Sequence, residues 1–416
     1  MDLSNKTALV YDRGLYTYLA QKLGESFKHV YYYIPDSSLY PKSPKSEIGR
    51  NLPEIERIDD DGLWKCIDKV DVIFFFDCYD SGLQTFLRSK GYLVFGSGLS
   101  SRIELDKTYF LETLKKLSLP CPYTYRAEGI DDLISHLTGK TDRWLKTPYY
   151  RGDFETYHFQ SLPLSTPWLN DLKAKIGIRE KNIEILVQSP IESEAEVGYD
   201  GFCLDGEFTS NCLCGYEVKD KGLVAKVFPT TPLILAKVND AFSNIYKTLG
   251  YRGHYSTEIR ITKEGKPYFI DPTCRAPSPP SELMSEIYSN YAEAVYSIAT
   301  GKLPILKPIA PYGAEIILTS PWHTDHELCI EIPKDLIPYI KLKNHTKRGS
   351  HYYCIPNDNG GFFGAVVTTG STLKAATSKA LDIVSEIKCD ELEFSSSLFD
   401  TADEAIQAGG KFSVGF

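Results

Sequence analysis

Short apolar runs alternate with amphipathic stretches over the first hundred residues. Thr7-Ala-Leu-Val-Tyr11 is followed by Asp12-Arg13-Gly14, then by apolar positions at helical spacing from Leu15 to Leu23, ending at Gly24. That order reads strand, turn, helix. Val30–Ile34 predicts a second strand. Val70–Phe76 predicts a third, apolar throughout, as a strand covered on both faces should be. A helix over Leu83–Lys90 stops at Gly91, and Tyr92–Gly96 predicts a fourth strand. The alternation implies a small parallel α/β domain over about residues 1–100.

The pattern then changes. Glu104–Leu117 predicts a helix ended by Leu119-Pro120, and Trp144-Leu-Lys146-Thr-Pro148 a strand inside a smaller lobe over about residues 122–190. Strands follow at Ile183–Val187, Glu196–Cys203, Phe208–Cys214 and Leu223–Phe228, and a helix at Leu233–Leu249. Gly253–Thr262 and Pro267–Asp271 flank Lys263-Glu-Gly-Lys266 and predict a hairpin. A helix over Ser281–Thr300 ends at Gly301. Lys302-Leu-Pro304-Ile-Leu-Lys-Pro308 reads as a linker. The remainder shows strands at Ala314–Leu318 and Phe363–Thr368 and one long helix, Leu373–Ile387. The expected division is 1–100, 101–302 and 303–416.

A chain of 416 residues is too long for one ordinary core, and 42% hydrophobic with 24% charged residues is a globular composition. The formal net charge of −9 argues against a nucleic-acid polymer or an anionic membrane as the main partner. No stretch reaches the roughly 18 apolar residues of a membrane span. The start, Met1-Asp-Leu-Ser-Asn-Lys6, lacks the layout of a signal peptide. Ten cysteines without CxxC pairs predict buried thiols in a reducing, cytoplasmic setting. Cys212 and Cys214 should share one face of a strand.

The predicted hairpin carries the sharpest chemistry. Glu258, in Tyr255-Ser-Thr-Glu258-Ile-Arg260, and Asp271, in Tyr268-Phe-Ile-Asp271-Pro-Thr273-Cys-Arg275, fall on adjacent antiparallel strands. Side chains on such neighbours approach within about 5 Å. Two carboxylates that close suit Mg²⁺ or Mn²⁺ shared with phosphates. Thr273 points to the same face and could add a hydroxyl. Arg275, on that face too, could hold an anion. Asp12 and Arg13 follow the first strand, Asp77 the third, and Ser97 and Gly98 the fourth. They converge on the edge where open α/β sheets bind ligands, which makes them candidate substrate contacts.

Asp271-Pro-Thr273-Cys-Arg275 resembles the metal-binding Glu-x-Asn-x-Arg string of the ATP-grasp ligases, with Thr in place of Asn. Other pieces of that family's pattern stand in order over about residues 96–282. The resemblance implies an ATP-grasp fold with a parallel α/β domain before it and a small α+β domain after it. It implies ATP and Mg²⁺ (or Mn²⁺) as cofactors. Lys107, opening a helix in Asp106-Lys107, and Lys146, in Leu-Lys-Thr-Pro, match lysines that hold phosphates. Tyr149–Thr156 takes the place of the phosphate-covering loop. That loop has only Gly152, and Arg151 would compensate by charge. Gln188 and the backbone near Ile191 match the hinge that faces adenine. Glu196, with Glu194 as its rival, matches the carboxylate on the ribose hydroxyls. Lys219, in Glu217-Val-Lys219, matches a lysine near the γ-phosphate and, with Arg275, would be catalytic.

Gly91-Tyr-Leu-Val-Phe-Gly-Ser-Gly with Glu104-Leu-Asp-Lys, and the tail Gly364-Ala-Val-Val-Thr-Thr-Gly370, are similar to phosphoribosylamine–glycine ligase. The loop that follows the lysine in that enzyme is absent here, and so is its N-terminal glycine-rich phosphate turn. The implied activity is therefore an ATP-dependent carboxylate–amine ligase, acting through an acyl phosphate on small molecules, with a diverged amine site. The competing expectation is a non-catalytic nucleotide-binding or structural protein that kept the fold. Oligomeric state is not legible in the sequence.

Overall fold

A computed structural model describes residues 1–35, 44–59, 61–148, 154–356 and 360–416. The chain opens with β1 (Thr7–Tyr11), α1 (Thr17–Gly24), β2 (His29–Tyr33), β3 (Glu56–Ile58), α2 (Gly62–Cys66), β4 (Val72–Phe75), α3 (Ser81–Ser89) and β5 (Val94–Phe95). The strands form one parallel sheet in the order β3-β2-β1-β4-β5. Alternate residues of β1 enter different cores, Ala8 and Val10 on one side, Leu9 and Tyr11 on the other. Both faces are covered, which is why the strands read as unbroken apolar runs.

The predicted helix over 104–117 is two helices, α4 (Ser101–Leu105) and α5 (Lys107–Lys116). Asp106 between them leaves helical geometry, and its Oδ1 accepts from Tyr109 N at 2.9 Å. An N-cap inside an amphipathic run restarts the helix and sets Lys107 as its first residue.

The smaller lobe contains β6 (Thr124–Glu128), α6 (Ile130–Leu137), β7 (Arg143–Lys146), β8 (Thr156–Phe159), α7 (Leu162–Ile176) and β9 (Glu184–Gln188). Its antiparallel sheet runs β6-β9-β7-β8 over a core of its own. The large antiparallel sheet takes β10 (Ala195–Val197), β11 (Asp200–Leu204), β12 (Glu207–Phe208), β13 (Cys212–Val218) and β14 (Gly222–Phe228). After α8 (Leu233–Leu249) it takes the hairpin β15 (Arg252–Ile261) and β16 (Pro267–Thr273).

The predicted helix over 281–300 is also two, α9 (Ser281–Ile287) and α10 (Tyr291–Ala299). The break is tertiary. The apolar linker runs back along it, with Ser289 N donating to Lys307 O, Lys307 N to Asn290 Oδ1, and Asn290 Nδ2 to Ile305 O. Tyr288 is extended there and donates to Asn211 O.

The C-terminal part adds β17 (Tyr312–Thr319), β18 (Leu328–Ile330), β19 (Ile340–Leu342), β20 (His345–Arg348), β21 (His351–Cys354), β22 (Phe362–Gly370), α11 (Leu373–Val384) and α12 (Leu398–Gly410). Strands β17, β22 and β19 continue the large sheet past β14, while β18, β21 and β20 form a small separate one. Helix α12 and the small sheet were not expected. Ala402, Ile406 and Val414 at the end of the chain join the core that also buries Cys212, Cys214 and Tyr216. The two cysteines therefore share a face, and all ten cysteines are free thiols. No helix among the described residues is long and apolar enough to cross a membrane.

Candidate active site

Strand register gathers carboxylates on one face of the large sheet. Glu258 of β15 lies opposite Asp271 of β16, with an irregularity after Glu258 that tightens the local twist. Arg260 is opposite Glu196 of β10, and Ser256 is opposite both Asp200 of β11 and Thr273. Ser256, Glu258 and Arg260 alternate with Thr257, Ile259 and Ile261, so the polar set shares one side of the pleat.

Two lysines from different elements meet the hairpin. Lys107 Nζ is 3.0 Å from Asp271 Oδ1 and also bonds Glu155. Lys146, the last residue of β7 in the smaller lobe, donates to Asp271 Oδ2 at 3.1 Å and to Ile270 O at 2.7 Å. Both lysines are buried. Burial alone would push Asp271 up, but the two ammonium groups outweigh it and hold the carboxyl down at about 2. Lys107 is raised above the ordinary lysine value, because Asp271 and Glu155 overcome the desolvation that would lower it.

Glu258 behaves in the opposite way. Burial, a hydrogen bond shared with Glu196, and the charges of Glu196 and Asp271 raise it well above the carboxylate range. Glu196 is lowered, because the hydrogen bond from Glu258 and the Arg260 guanidinium outweigh its desolvation. Arg260 Nε donates to Glu196 Oε2 at 2.7 Å and its guanidinium lies over the Trp144 ring of the smaller lobe at 5.2 Å. The two carboxyls are thus driven apart, Glu258 toward the protonated form and Glu196 toward the ionised one.

Beside the lysines runs a narrow slot lined by Phe110, Leu111, Leu114, Pro122, Leu186 and Phe269, with Lys107, Lys146 and Gln188 at its polar side. Gln188 Nε2 reaches Thr124 Oγ1 at 3.3 Å. The free volume of the slot is only about 20 Å³, so a flat aromatic base followed by phosphates would enter it only as the lobes part. A larger cavity of about 680 Å³, lined by Asp106, Thr108, Pro148, Arg179 and Glu184 among others, contains none of the carboxylates that gather on the hairpin.

The donor set suits a hard cation. Glu258 and Asp271 offer oxygens only, and Mg²⁺ takes one or two carboxylates and fills its remaining positions with water and phosphate. Among the described residues no group of three or more His, Cys, Asp or Glu is arranged to hold a metal by itself, so phosphates or water would complete any such site.

The other expected residues fall as follows. Arg275 Nε donates to Glu104 Oε1 at 2.8 Å, and Glu104 Oε2 accepts from Cys274 N at 2.7 Å, so a buried carboxylate fixes the arginine just beyond the hairpin. Thr273 ends β16 on the carboxylate face. Lys219 follows β13, is exposed, and makes no ion pair among the described residues. Ile191 follows β9 and is not among the residues of the slot. Glu194 points away and pairs with Lys411. Arg151 lies outside the described residues.

At the parallel sheet the expected substrate contacts, Arg13 apart, turn inward. Asp12 is buried, its Oδ2 accepting from Tyr32 Oη at 2.6 Å and Tyr16 N at 2.9 Å, its Oδ1 from Arg13 N at 2.7 Å. Burial pushes it up to about 6. Arg13 is half exposed and pairs with Asp80. Asp77 Oδ1 accepts from Cys78 N at 2.7 Å. Ser97 and Gly98 are both buried, with Gly98 N donating to Gln84 Oε1 at 2.8 Å. Asp12 is thus the anchor of its own turn. Glu155, Glu104 and Asp200 take part in the site although no motif singled out a role for them.

No family model and no curated protein sequence matches the chain. Solved structures do. Phosphoribosylamine–glycine ligase of Thermotoga maritima has a TM-score of 0.69 at 14% identity, over 93% of this chain and 98% of that one. N5-carboxyaminoimidazole ribonucleotide synthetase from the same organism has 0.60 at 15%, over 93% and 99%. The biotin carboxylase domain of 2-oxoglutarate carboxylase from Hydrogenobacter thermophilus, crystallised with MgADP, ADP and bicarbonate, has 0.65 at 11%, over 96% and 98%. The mixed α/β architecture is that of the ATP-grasp enzymes, reached at low identity.

Proposed function

We propose that this ATP-grasp protein is a magnesium-dependent ligase that joins a small carboxylate to an amine at the expense of ATP. The observation that carries the reading is the meeting of Lys107 and Lys146 on Asp271, beside Glu258 and at the mouth of the apolar slot. The base would occupy the slot, with Gln188 and the backbone near Ile191 at its edge. Lys107 and Lys146 would move from Asp271 to the phosphates. That transfer frees both Asp271 oxygens for Mg²⁺, which Glu258 and Thr273 would share. The metal supplies charge neutralisation of the phosphates when bound. Arg151 and Lys219 would add positive charge at the outer phosphate.

In this reading the substrate carboxylate attacks the terminal phosphorus, the bond from that phosphorus to the β-phosphate oxygen breaks, ADP leaves, and an acyl phosphate forms. The amine then attacks the acyl carbon, and phosphate leaves. Arg275, fixed by Glu104, would hold the carboxylate. The protein's work is positioning and electrostatics. Closure of the smaller lobe would exclude water. The division 1–100, 101–302 and 303–416 is part of this proposal, with the large sheet crossing the last boundary through β17, β22 and β19.

The test replaces the amine with hydroxylamine. A ligase of this class releases ADP and yields a hydroxamate of its carboxylate substrate, only with Mg²⁺ or Mn²⁺. ATP binding with neither hydroxamate nor carboxylate-dependent ADP release, across a broad carboxylate panel, would leave the second reading, a nucleotide-binding protein without turnover. One observation favours that second reading: Asp271 is already neutralised by two lysines, so the site closes without a metal.

A further inference from the structure

The slot beside the lysines carries a hydrogen-bond relay whose direction follows from the chemistry of its members. Thr124 of β6 and Gln188 of β9 are directly paired across the smaller lobe's sheet, so their side chains stand on one face. Leu186 and Gln188 line the slot, while Ile185 and Val187, alternating with them, enter the lobe's own core. The pleat therefore aims Gln188 at the slot, and Thr124 flanks it. Trp144 flanks it on the other side, and that ring is taken up by His158 and Arg260.

Thr124 Oγ1 lies 3.0 Å from Pro122 O and 3.3 Å from Gln188 Nε2. A carbonyl brings no hydrogen, and two oxygens that close need one between them. The single hydroxyl hydrogen of Thr124 is thus committed to Pro122. Its oxygen can then only accept, and the Gln188 atom facing it must be the NH₂ end of the amide. That fixes which way round a side chain sits whose two ends are alike in shape. The amide oxygen is left for the slot, and no described group donates to it. Thr124 and Gln188 belong to the smaller lobe, and Pro122 leads directly into β6. The facing wall, Phe110 and Leu114 of α5 with Phe269 of β16, belongs to other elements. Parting of the two walls therefore widens the slot and leaves the relay whole.

We propose that Thr124 sets the base selectivity of this site. By locking Gln188 with its oxygen toward the slot, it makes the slot an acceptor for an amino group on the edge of a base. A 6-aminopurine donates there. A 6-oxopurine would set its carbonyl oxygen against the amide oxygen, and both would be left without a hydrogen. Thr124 acts through Gln188 and touches no reacting atom, so it is a positioning residue. The inference rests on the nucleotide site of the ligase reading above and assigns the selectivity within it.

The test compares ADP with inosine diphosphate, which carries an oxo group in place of the 6-amino group. Each is titrated calorimetrically, with Mg²⁺, into the full-length protein. The wild type should bind ADP more tightly by about 10-fold or more, the scale of one hydrogen bond whose loss leaves a partner unpaired. Thr124→Val keeps the shape of the side chain and removes its oxygen, so the amide can turn round and the preference should fall to about 3-fold or less. Thr124→Ser keeps the relay and should keep the preference. Gln188→Glu in the Thr124→Val chain presents a carboxylate, which only accepts, and should restore it. A merely structural role would weaken both nucleotides together and leave their ratio where it was. Three results overturn the proposal: the wild type binds both nucleotides alike, Thr124→Val keeps the full preference, or the double variant recovers none of it. The wild-type comparison needs no variant, so it decides the matter even if a substitution prevents folding. Binding of neither nucleotide by the wild type overturns the nucleotide site and this inference with it, whereas equal binding of both overturns this inference alone.

Discussion

Asp271→Asn should separate the electrostatic role of this residue from its place in the fold. In the ligand-free protein the carboxylate compensates two ammonium groups whose side chains are only 3% and 9% exposed. Asp271 itself is 22% exposed, so solvent screens it only in part. Its fall from the ordinary 3.8 to about 2 corresponds to a stabilisation of about 2–3 kcal/mol. A depressed carboxyl contributes fully above the unfolded value of 3.8 and loses that contribution as pH falls through about 2. The variant should therefore melt about 2–3 °C lower, a gap constant from pH 8 to pH 5 that narrows below pH 4. Scanning calorimetry across that range provides the measurement. The same samples with Mg²⁺–ATP add a second readout. Ligand at 100 times its dissociation constant stabilises the wild type by about 2.7 kcal/mol, and that increment should vanish in the variant. Equal melting of both proteins at pH 7, together with an equal nucleotide shift, would refute the assignment of Asp271 as the hub of the site.

Glu258→Gln should do the reverse for stability. It keeps a hydrogen-bond donor toward Glu196 and cannot ionise beside Glu196 and Asp271, so melting should be unchanged or higher while metal-dependent ADP release is lost; a retained rate would take Glu258 out of the metal site. Lys146→Ala should weaken ATP by roughly 10–100-fold and adenosine hardly at all, since the ammonium acts on phosphate; equal losses in calorimetry would make Lys146 structural. Arg275→Lys should keep ATP affinity and lose ligation, while Arg275→Ala should also destabilise by about 3 kcal/mol, because Glu104 is 3% exposed and would be left unpaired; urea midpoints and ADP release check the two. Gly409→Ala should destabilise by about 1–3 kcal/mol, since an added Cβ would sit 1.6 Å from Tyr216 Oη, and Tyr216→Phe in the same chain should recover part of it in thermal melts.

The sequence revealed most where local physics decides. The β1 and β4 strands are apolar because both faces are covered, and the hairpin around Lys263–Lys266 follows from its alternation and turn residues. It misled where a distant segment decides. Nothing local marks the break at Tyr288-Ser289-Asn290, because the hydrogen bonds that end α9 come from Ile305 and Lys307. Helix α12 ends in Gly409 and Gly410, a poor helix signal, and is held by packing on the sheet. The site divides in the same way. Glu258 and Asp271 come from one hairpin and could be paired on paper. Lys107 meets Glu155 across 48 positions and Asp271 across 164, and Glu104 meets Arg275 across 171, which no spacing rule reaches.

Glu196 shows how geometry bears on a role that a motif suggests. The resemblance assigns it to ribose hydroxyls. In the folded chain its carboxylate is bonded to Glu258 and to Arg260, which bridges to Trp144 of the smaller lobe. A ribose diol could accept part of that set only by displacing Arg260 or the Glu258 proton. A cation arriving at Glu258 would strip that proton, because the protonated form cannot offer two free oxygens to a metal. Glu196 would then be freed from Glu258 and left with Arg260 alone. Metal binding and ribose binding would thereby be coupled, and nucleotide affinity should rise with Mg²⁺ more steeply in the wild type than in Glu196→Gln. Titrating ADP at several Mg²⁺ concentrations measures that coupling directly. Identical Mg²⁺ dependence in the two proteins would mean that Glu196 serves Arg260 and the lobe contact, and has no part in the nucleotide site.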